Sequence, residues 1–270
     1  MQSDQLPWQI KMFQRSIKKP QKLRALLALL GETTGKKCLL VTCGDNNGAL
    51  NWYFRQHGGE WTWVDVSGEN NDQISRLLNE PVYAFKEDDF PIPSDWFDYV
   101  VSIDVLEHLR QDQPFLKELK RVLKPGGKAV VTVPNGDGKL LANKIKWKFG
   151  MTPEVYGHTR AGYTVSELSE TLRKSGLEPN ASGGYSRFVT EMIELVLNFG
   201  YVRVLAKKRG GAQPDHIAPI SASEIKTHGL AYQVYSIIFP IVRAISLLDH
   251  LLPARTNNAV IVSAQKQVHT

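Results

Sequence analysis

The sequence predicts an α/β fold: a doubly wound, mostly parallel seven-stranded sheet with a helical insertion before the last strand. Three observations carry this. Leu39–Thr42 is an apolar run of the kind a strand covered on both faces needs, and it breaks into a turn holding Gly44 and Gly48. Such a turn is where a doubly wound sheet lets backbone approach a nucleotide-like ligand. About twenty residues on, a second apolar run ends at Asp65, the spacing at which an acidic side chain can accept from both ribose hydroxyls of an adenosine ligand. Strand-like and helix-like stretches then alternate with short links, which argues for a parallel sheet wrapped on both faces, and right-handed crossovers leave few topologies.

The elements follow in order. Leu6–Lys19 reads as a basic amphipathic helix, with Leu6, Ile10, Phe13 and Ile17 at helical spacing, interrupted by Pro20. Gln21–Leu30 is a second helix, stopped by Gly31. Strand one is Lys37–Thr42, with the helix Leu50–His57 behind its turn. Strand two is Trp61–Val66, followed by a short helix, Gln73–Leu78, and a short third strand, Val82–Phe85. Phe97–Ile103 is strand four; Pro114–Leu123 is helical with Phe115, Leu116, Leu119, Val122 and Leu123 on one face; Gly127–Val133 is strand five. Ser166–Ser175 is helical, capped at Ser166 with Glu167 and Glu170 in its first turns. Leu177–Tyr185 can supply strand six and Ala259–Ala264 strand seven. The whole chain, 1–270, reads as a single domain with N-terminal helices over 1–30 and a helical cap over 187–258. RGGAQPDHIAP, 209–219, is its best linker signal.

Composition sets bounds. A hydrophobic content of 42% and a charged content of 22% are ordinary for a soluble globular chain, and the net charge of +6 suits an anionic surface, lipid or nucleic acid. The two cysteines, Cys38 and Cys43, suit a reducing compartment, and no companion cluster makes them a metal site. The N-terminus lacks the apolar core of a secretory signal, and no uninterrupted apolar run is long enough to span a bilayer. A cytoplasmic protein, peripheral on the inner face of the membrane, is the expectation.

Four segments in fixed order, CGDNNG, VDVS, FPIPSDWFDYVVSIDVLEHL and FLKELKRVLKPGG, resemble the class I S-adenosylmethionine-dependent methyltransferases, small-molecule group, and most closely the ubiquinone- and menaquinone-pathway methyltransferases. The resemblance covers Lys22 to Ser182. It implies the Rossmann-like fold of that family with a last antiparallel strand, which AVIVSA fits, and S-adenosyl-L-methionine as cofactor. Carried over, the turn Cys43, Gly44, Asp45, Asn46 and Gly48 lies against the methionine moiety, its amides near the carboxylate at a helix N-terminus. Asp65, followed by Val66, holds the ribose; Lys86, Glu87 and Asp88 lie on the adenine side; Ser102 and Ile103 line the methyl-donor side. The chain departs from the family at Thr42, where Asp or Glu is usual, at Asn46 in place of the middle glycine, and at Lys86 in place of an aspartate. Asn tolerates left-handed backbone, so the turn can survive.

Methyl transfer from a sulfonium is an in-line displacement, so the protein need only align the nucleophile and, where necessary, remove its proton. The candidates are Asp104, Glu107 and His108 in SIDVLEHL, with Asp104 and His108 four apart on one helical face. By the resemblance, these three could bind Mg²⁺ or Zn²⁺, or His108 could act as base; ordering of the loop is the alternative, and no metal is assigned. His158, in the donor-rich loop YGHTRAGYT (156–164), is the second catalytic candidate.

Two regions point to a lipophilic acceptor. KLLANKIKWKFG (139–150) sets apolar and aromatic residues among lysines, as suits an anionic membrane interface. GLAYQVYSIIFPIVRAISLLDHLLP (229–253) is nearly all apolar but broken by Pro240, Arg243 and Asp249. The readings are therefore an O-methyltransferase for a lipid, quinone or envelope-glycan precursor, a methyltransferase for a soluble metabolite or nucleic acid, or a non-catalytic cofactor-fold binding protein. Nucleic acid is disfavoured, because no RNA-binding module or stacking motif is present.

Overall fold

The computed structural model describes residues 6–44, 46–86, 88–208 and 229–268, with the side chains of 199–208 and 229–234 outside that description. The chain runs α1 (Trp8–Gln14), α2 (Lys18–Leu30), β1 (Lys37–Thr42), α3 (Ala49–Gln56), β2 (Glu60–Asp65), α4 (Asn71–Leu78), β3 (Val82–Tyr83), β4 (Phe97–Ile103), α5 (Asp112–Val122) and β5 (Leu123–Pro134). It continues α6 (Leu141–Lys148), α7 (Val165–Lys174), β6 (Leu177–Tyr185), α8 (Phe188–Lys208), α9 (Gly229–Ser246) and β7 (Ala259–Lys266).

The seven strands form one sheet in the order β3-β2-β1-β4-β5-β7-β6. β7 is antiparallel to both its neighbours, and the other pairings are parallel. Successive residues of β1 serve opposite faces, as strand pleat requires. Leu39 and Val41 join a core with Phe115, Leu119, Leu168 and Leu172 of α5 and α7, while Leu40 joins a second core with Leu26, Leu50, Phe54 and Ile74 of α2, α3 and α4. Two buried faces explain why these strands are continuous apolar runs. The parallel strands β1, β4 and β5 all end on one edge, so the loops after them share it.

Several boundaries differ from expectation. Leu6–Lys19 is not one helix broken by Pro20: α1 ends at Gln14 and α2 starts at Lys18, so Pro20 falls in the first turn of α2. There its missing N–H costs no helical bond. The cap of α7 is Thr164, not Ser166: the Thr164 hydroxyl accepts from the Glu167 amide at 3.3 Å, and the Thr164 amide donates to the Glu167 carboxylate at 2.7 Å. The Lys-Pro-Gly-Gly turn is taken into a longer β5. The linker signal 209–219 lies outside the described residues. In the cap, α8 and α9 are followed by short helical turns at Leu247–Leu251 and Ala254–Thr256.

Candidate functional site at the carboxyl edge

The turn after β1 uses left-handed backbone at Gly44 (φ 68°) and Gly48 (φ 90°), where a Cβ is unfavourable. Between them Asn46 and Asn47 fold their side chains back: Asn46 Oδ1 accepts from the Gly48 amide at 3.0 Å, and Asn47 Oδ1 from the Ala49 amide at 3.2 Å. Asn46 also donates through Nδ2 to Asn51 Oδ1 at 2.5 Å. The side-chain amide of Asn46 thus does structural work a glycine could not. Asp45 lies outside the described residues.

Asp65 stands at the end of β2, opposite Thr42, and is fully buried. Its carboxylate accepts from the Thr42 hydroxyl (2.8 Å), the Gly44 amide (3.0 Å), the Ser67 amide (3.0 Å) and hydroxyl (2.6 Å), and the Gly68 amide (3.1 Å). Thr42 therefore has a physical role of its own: a donor beside Asp65, where a second carboxylate would repel it. To hold a ribose, Asp65 must exchange one of these partners, and the Ser67 hydroxyl, a side-chain donor free to rotate about its own bond, is simpler to displace than a backbone amide.

Beside the turn, Cys43, Val66 and Phe85 are half-buried against the core, a wall suited to a flat heterocycle. Phe85 stacks on Tyr83 at 5.5 Å between centroids. Lys86 and Asp88 are exposed, Lys86 bridging by backbone to Asp89, and Glu87 lies outside the described residues. Ser102, in β4, is fully buried with no hydrogen-bond partner for its hydroxyl; Ile103, next to it, packs into the opposite core. An unsatisfied hydroxyl at this edge, the half-buried apolar wall and the glycine turn fit the polar and heterocyclic ends of S-adenosylmethionine.

After β4 the chain makes a turn, not the start of a helix. Asp104 has φ 50°, and the His108 amide donates to the Val105 carbonyl at 3.0 Å. Asp104 and His108 therefore share no helical face. Asp104 instead forms an ion pair with Lys22 of α2. His108 meets His158: their rings cross edge to face at 4.8 Å between centroids. One donor atom from each of Glu107, His108 and His158 lies within 4.8 Å of the others, a spacing with room for a divalent ion. The set differs from the one the resemblance implied, with His158 in place of Asp104. Burial, and then the neighbouring His108, lower the His158 pKa to about 4, so its imidazole is neutral at pH 7.

The 157–163 loop is pinned to the 107–112 turn. Thr159 donates its amide and hydroxyl to the Glu107 carbonyl at 2.8 and 2.9 Å; Arg160 reaches the Leu109 carbonyl at 2.8 Å and the Asp112 carboxylate at 3.0 Å. Gly162 (φ 111°) lets the loop lie on the end of β5, where a Cβ would collide with the Pro134 carbonyl.

A charged group borders the cluster. Glu191 of α8, 2% exposed, is held by Lys18 of α2 and Lys146 of α6, each at 2.7 Å. Burial opposes its charge, but the two lysines outweigh that and bring its carboxyl down to about 2. Tyr185, at the end of β6, has its ring 5.9 Å from the Lys22 ammonium. Sequence reading missed Lys18, Lys22, Lys146 and Glu191. The basic N-terminal helix was a signal for Lys18 and the lysine-rich 139–150 stretch for Lys146; nothing local marked Glu191, far away in sequence, as their partner.

Comparison with known proteins bears on the family and the fold. The family described as methyltransferase domain matches residues 39–131. A ubiquinone biosynthesis O-methyltransferase of Cereibacter sphaeroides is 30% identical over 154 residues, covering 54% of this chain and 61% of that protein. A demethylmenaquinone methyltransferase of Tropheryma whipplei is 31% identical over 112 residues, covering 40% and 46%. The chain thus spans about half the length of these curated relatives. A solved phosphoethanolamine N-methyltransferase 2 of Haemonchus contortus, holding S-adenosylhomocysteine, superposes with a TM-score of 0.55 at 16% identity, over 93% of this chain and 54% of that one. At that identity the likeness is one of fold.

Proposed function

We propose that this chain, which carries a class I S-adenosylmethionine-dependent methyltransferase domain, methylates an oxygen of a lipophilic acceptor, a lipid, quinone or envelope-glycan precursor, at a membrane surface. The observation that carries the reading is the shared edge: the glycine turn after β1 and the Glu107–His108–His158 cluster open beside each other at the ends of adjacent strands. The name of the Cereibacter sphaeroides relative, an O-methyltransferase, supports oxygen as the methylated atom.

In this reading the turn at Cys43, Gly44, Asn46 and Gly48 holds the methionine end, Asp65 and Val66 the ribose, the Lys86–Asp88 stretch the adenine side, and Ser102 and Ile103 the donor side. When bound, S-adenosylmethionine supplies a methyl group on a sulfonium. The chain's own residues align the acceptor hydroxyl in line with that methyl and take its proton as the new C–O bond forms. His158, neutral at pH 7, is the base, and His108 orients it. Asp104, tied to Lys22, positions the turn rather than acting on the acceptor. Glu107, His108 and His158 could also hold a divalent ion, whose chemistry would be to acidify a bound hydroxyl.

The membrane part of the reading rests on exposed apolar side chains. Ile237, Ile241 and Ile245 recur at one-turn spacing on α9 and are 77%, 64% and 46% exposed; Leu141 and Phe149 flank the lysines of α6 and are also exposed. Among the described residues no helix is long and apolar enough to cross a membrane. Contact with an anionic surface is therefore peripheral.

The test is transfer of labelled methyl from S-adenosylmethionine into fractionated extracts. Label in the lipid fraction, with turnover lowered by about 10²–10⁴ in His158→Ala, is the expected result. Label confined to the aqueous fraction would overturn the lipophilic acceptor, and full turnover in His158→Ala would remove the base. Turnover that survives a chelator assigns the proton transfer to the imidazoles alone.

A further inference from the structure

On the outer side of α2 a cavity of about 970 Å³ lies between the N-terminal helices and α9. It is within the size range of a small-molecule site. Its lining includes neither the glycine turn nor the Glu107–His108–His158 cluster. Ile17 and Phe239 give it buried apolar wall, and Leu247, 57% exposed, carries that wall to the rim. Leu247 adjoins the outward stripe of Ile237, Ile241 and Ile245.

Its charge is one-sided. Arg15, Arg24, Arg187 and Arg243 all line it. Arg187 is committed, donating to the Asp249 carbonyl at 2.6 Å and to Asn257 Oδ1 at 3.0 Å. The other three have no acidic partner among the described residues, and Arg15 Nε is buried without a hydrogen-bond acceptor. Arg15 lies over the Phe239 ring at 5.8 Å, so cation and apolar wall meet there. Among the described residues the one carboxylate in the lining, Asp249, is already engaged: it accepts from the Arg187, Val189 and Thr190 amides at 3.1, 2.8 and 3.1 Å, capping the start of α8. Three guanidiniums with no acidic partner among the described residues, set on an apolar cavity, favour an anion with several acceptor oxygens and an apolar tail.

We propose that this cavity binds an amphiphile bearing a phosphate group, its anion held by Arg15, Arg24 and Arg243 and its chain against Ile17, Phe239 and Leu247. The proposal is independent of methyl transfer, since it concerns none of the residues assigned to that reaction.

Calorimetry on the full chain tests it with three probes: dihexanoyl phosphatidic acid below its micellar concentration, dihexanoyl phosphatidylcholine and inorganic phosphate. Phosphatidic acid should bind at least ~10-fold tighter than either control, with an affinity that falls as salt rises. The double variant Arg24→Gln, Arg243→Gln, both exposed positions, should lose ~10-fold or more of that affinity at an unchanged melting temperature. Leu247→Ser should weaken phosphatidic acid and leave inorganic phosphate unaffected. Equal binding of the phosphatidic and zwitterionic lipids would overturn the anion site, as would full affinity in the double variant. Inorganic phosphate binding as tightly as the lipid would overturn the amphiphile.

Discussion

At Asp65 one carboxylate closes two turns. It accepts hydrogen bonds from Thr42, Gly44, Ser67 and Gly68, from both sides of the β1–β2 pair. Removing it leaves buried donors without an acceptor, at about 1–3 kcal/mol for each unsatisfied group. Asp65→Ala is therefore expected to lower the melting temperature as well as to weaken S-adenosylmethionine binding by about tenfold or more, since a charge-assisted bond is worth ~1.5–3 kcal/mol. Thermal denaturation followed by calorimetry on the variant, held below its transition, separates the two effects. Unchanged affinity in the folded variant would remove the ribose role and leave Asp65 as a structural knot. The place of Asp65 at the end of a second strand was legible in sequence, and its hydrogen bonds to the turns are those of a residue that caps a loop. Its bonds to Thr42 and Ser67 were not legible there, since they arise from a strand register that pairs Thr42 with Asp65. Asp104 and His108 show the converse: a spacing of four suggested one helical face, and a left-handed backbone at Asp104 turned its side chain to Lys22 instead.

Among elements, three strands were legible to the residue. β1, β4 and β6 lie where their patterns place them, at Lys37–Thr42, Phe97–Ile103 and Leu177–Tyr185. For β1 and β4 the reason is burial on both faces, which leaves little but apolar residues. From α3 to α5 and at α7, helix ends moved by a residue or two because caps compete locally, as Thr164 and Ser166 do for α7. What sequence could not show is which distant elements charge ties together. Glu191 of α8 binds Lys18 of α2 and Lys146 of α6, joining the N-terminal helices to the cap. Removing one member of a buried set leaves uncompensated charge, so Glu191→Ala should cost about 3–5 kcal/mol. The sign with pH follows from the depressed carboxyl. Its stabilisation is full above its ordinary value of 4.5 and is lost as pH falls toward about 2. Denaturant titrations of wild type and Glu191→Gln from pH 6 to pH 2 should converge at the acid end. Parallel curves throughout would show that Glu191 contributes nothing through its charge.

For the whole molecule, the basic balance and the apolar faces of α6 and α9 belong together. On the proposed peripheral reading, a net charge of +6 would draw the chain to an anionic surface, where the exposed isoleucines would be buried. Co-sedimentation with vesicles containing phosphatidylglycerol should be strong at low salt and weak at high salt, because exposed charges are screened beyond about 10 Å at 0.1 M. Ile237→Ser with Ile241→Ser should reduce it further without a change in melting temperature. No binding to anionic vesicles at low salt would leave the α9 face without its proposed occupant. The cap's apolar character was plain in the sequence, but its division into a buried side at Phe239 and an exposed side at Ile237, Ile241 and Ile245 needed the packing against the N-terminal helices. The central claim, a working cofactor site at the carboxyl edge, is tested most directly by calorimetric titration of the purified chain with S-adenosylmethionine and S-adenosylhomocysteine. Binding of both in the micromolar range, about −8 kcal/mol, is the predicted result. A folded protein that binds neither would contradict it.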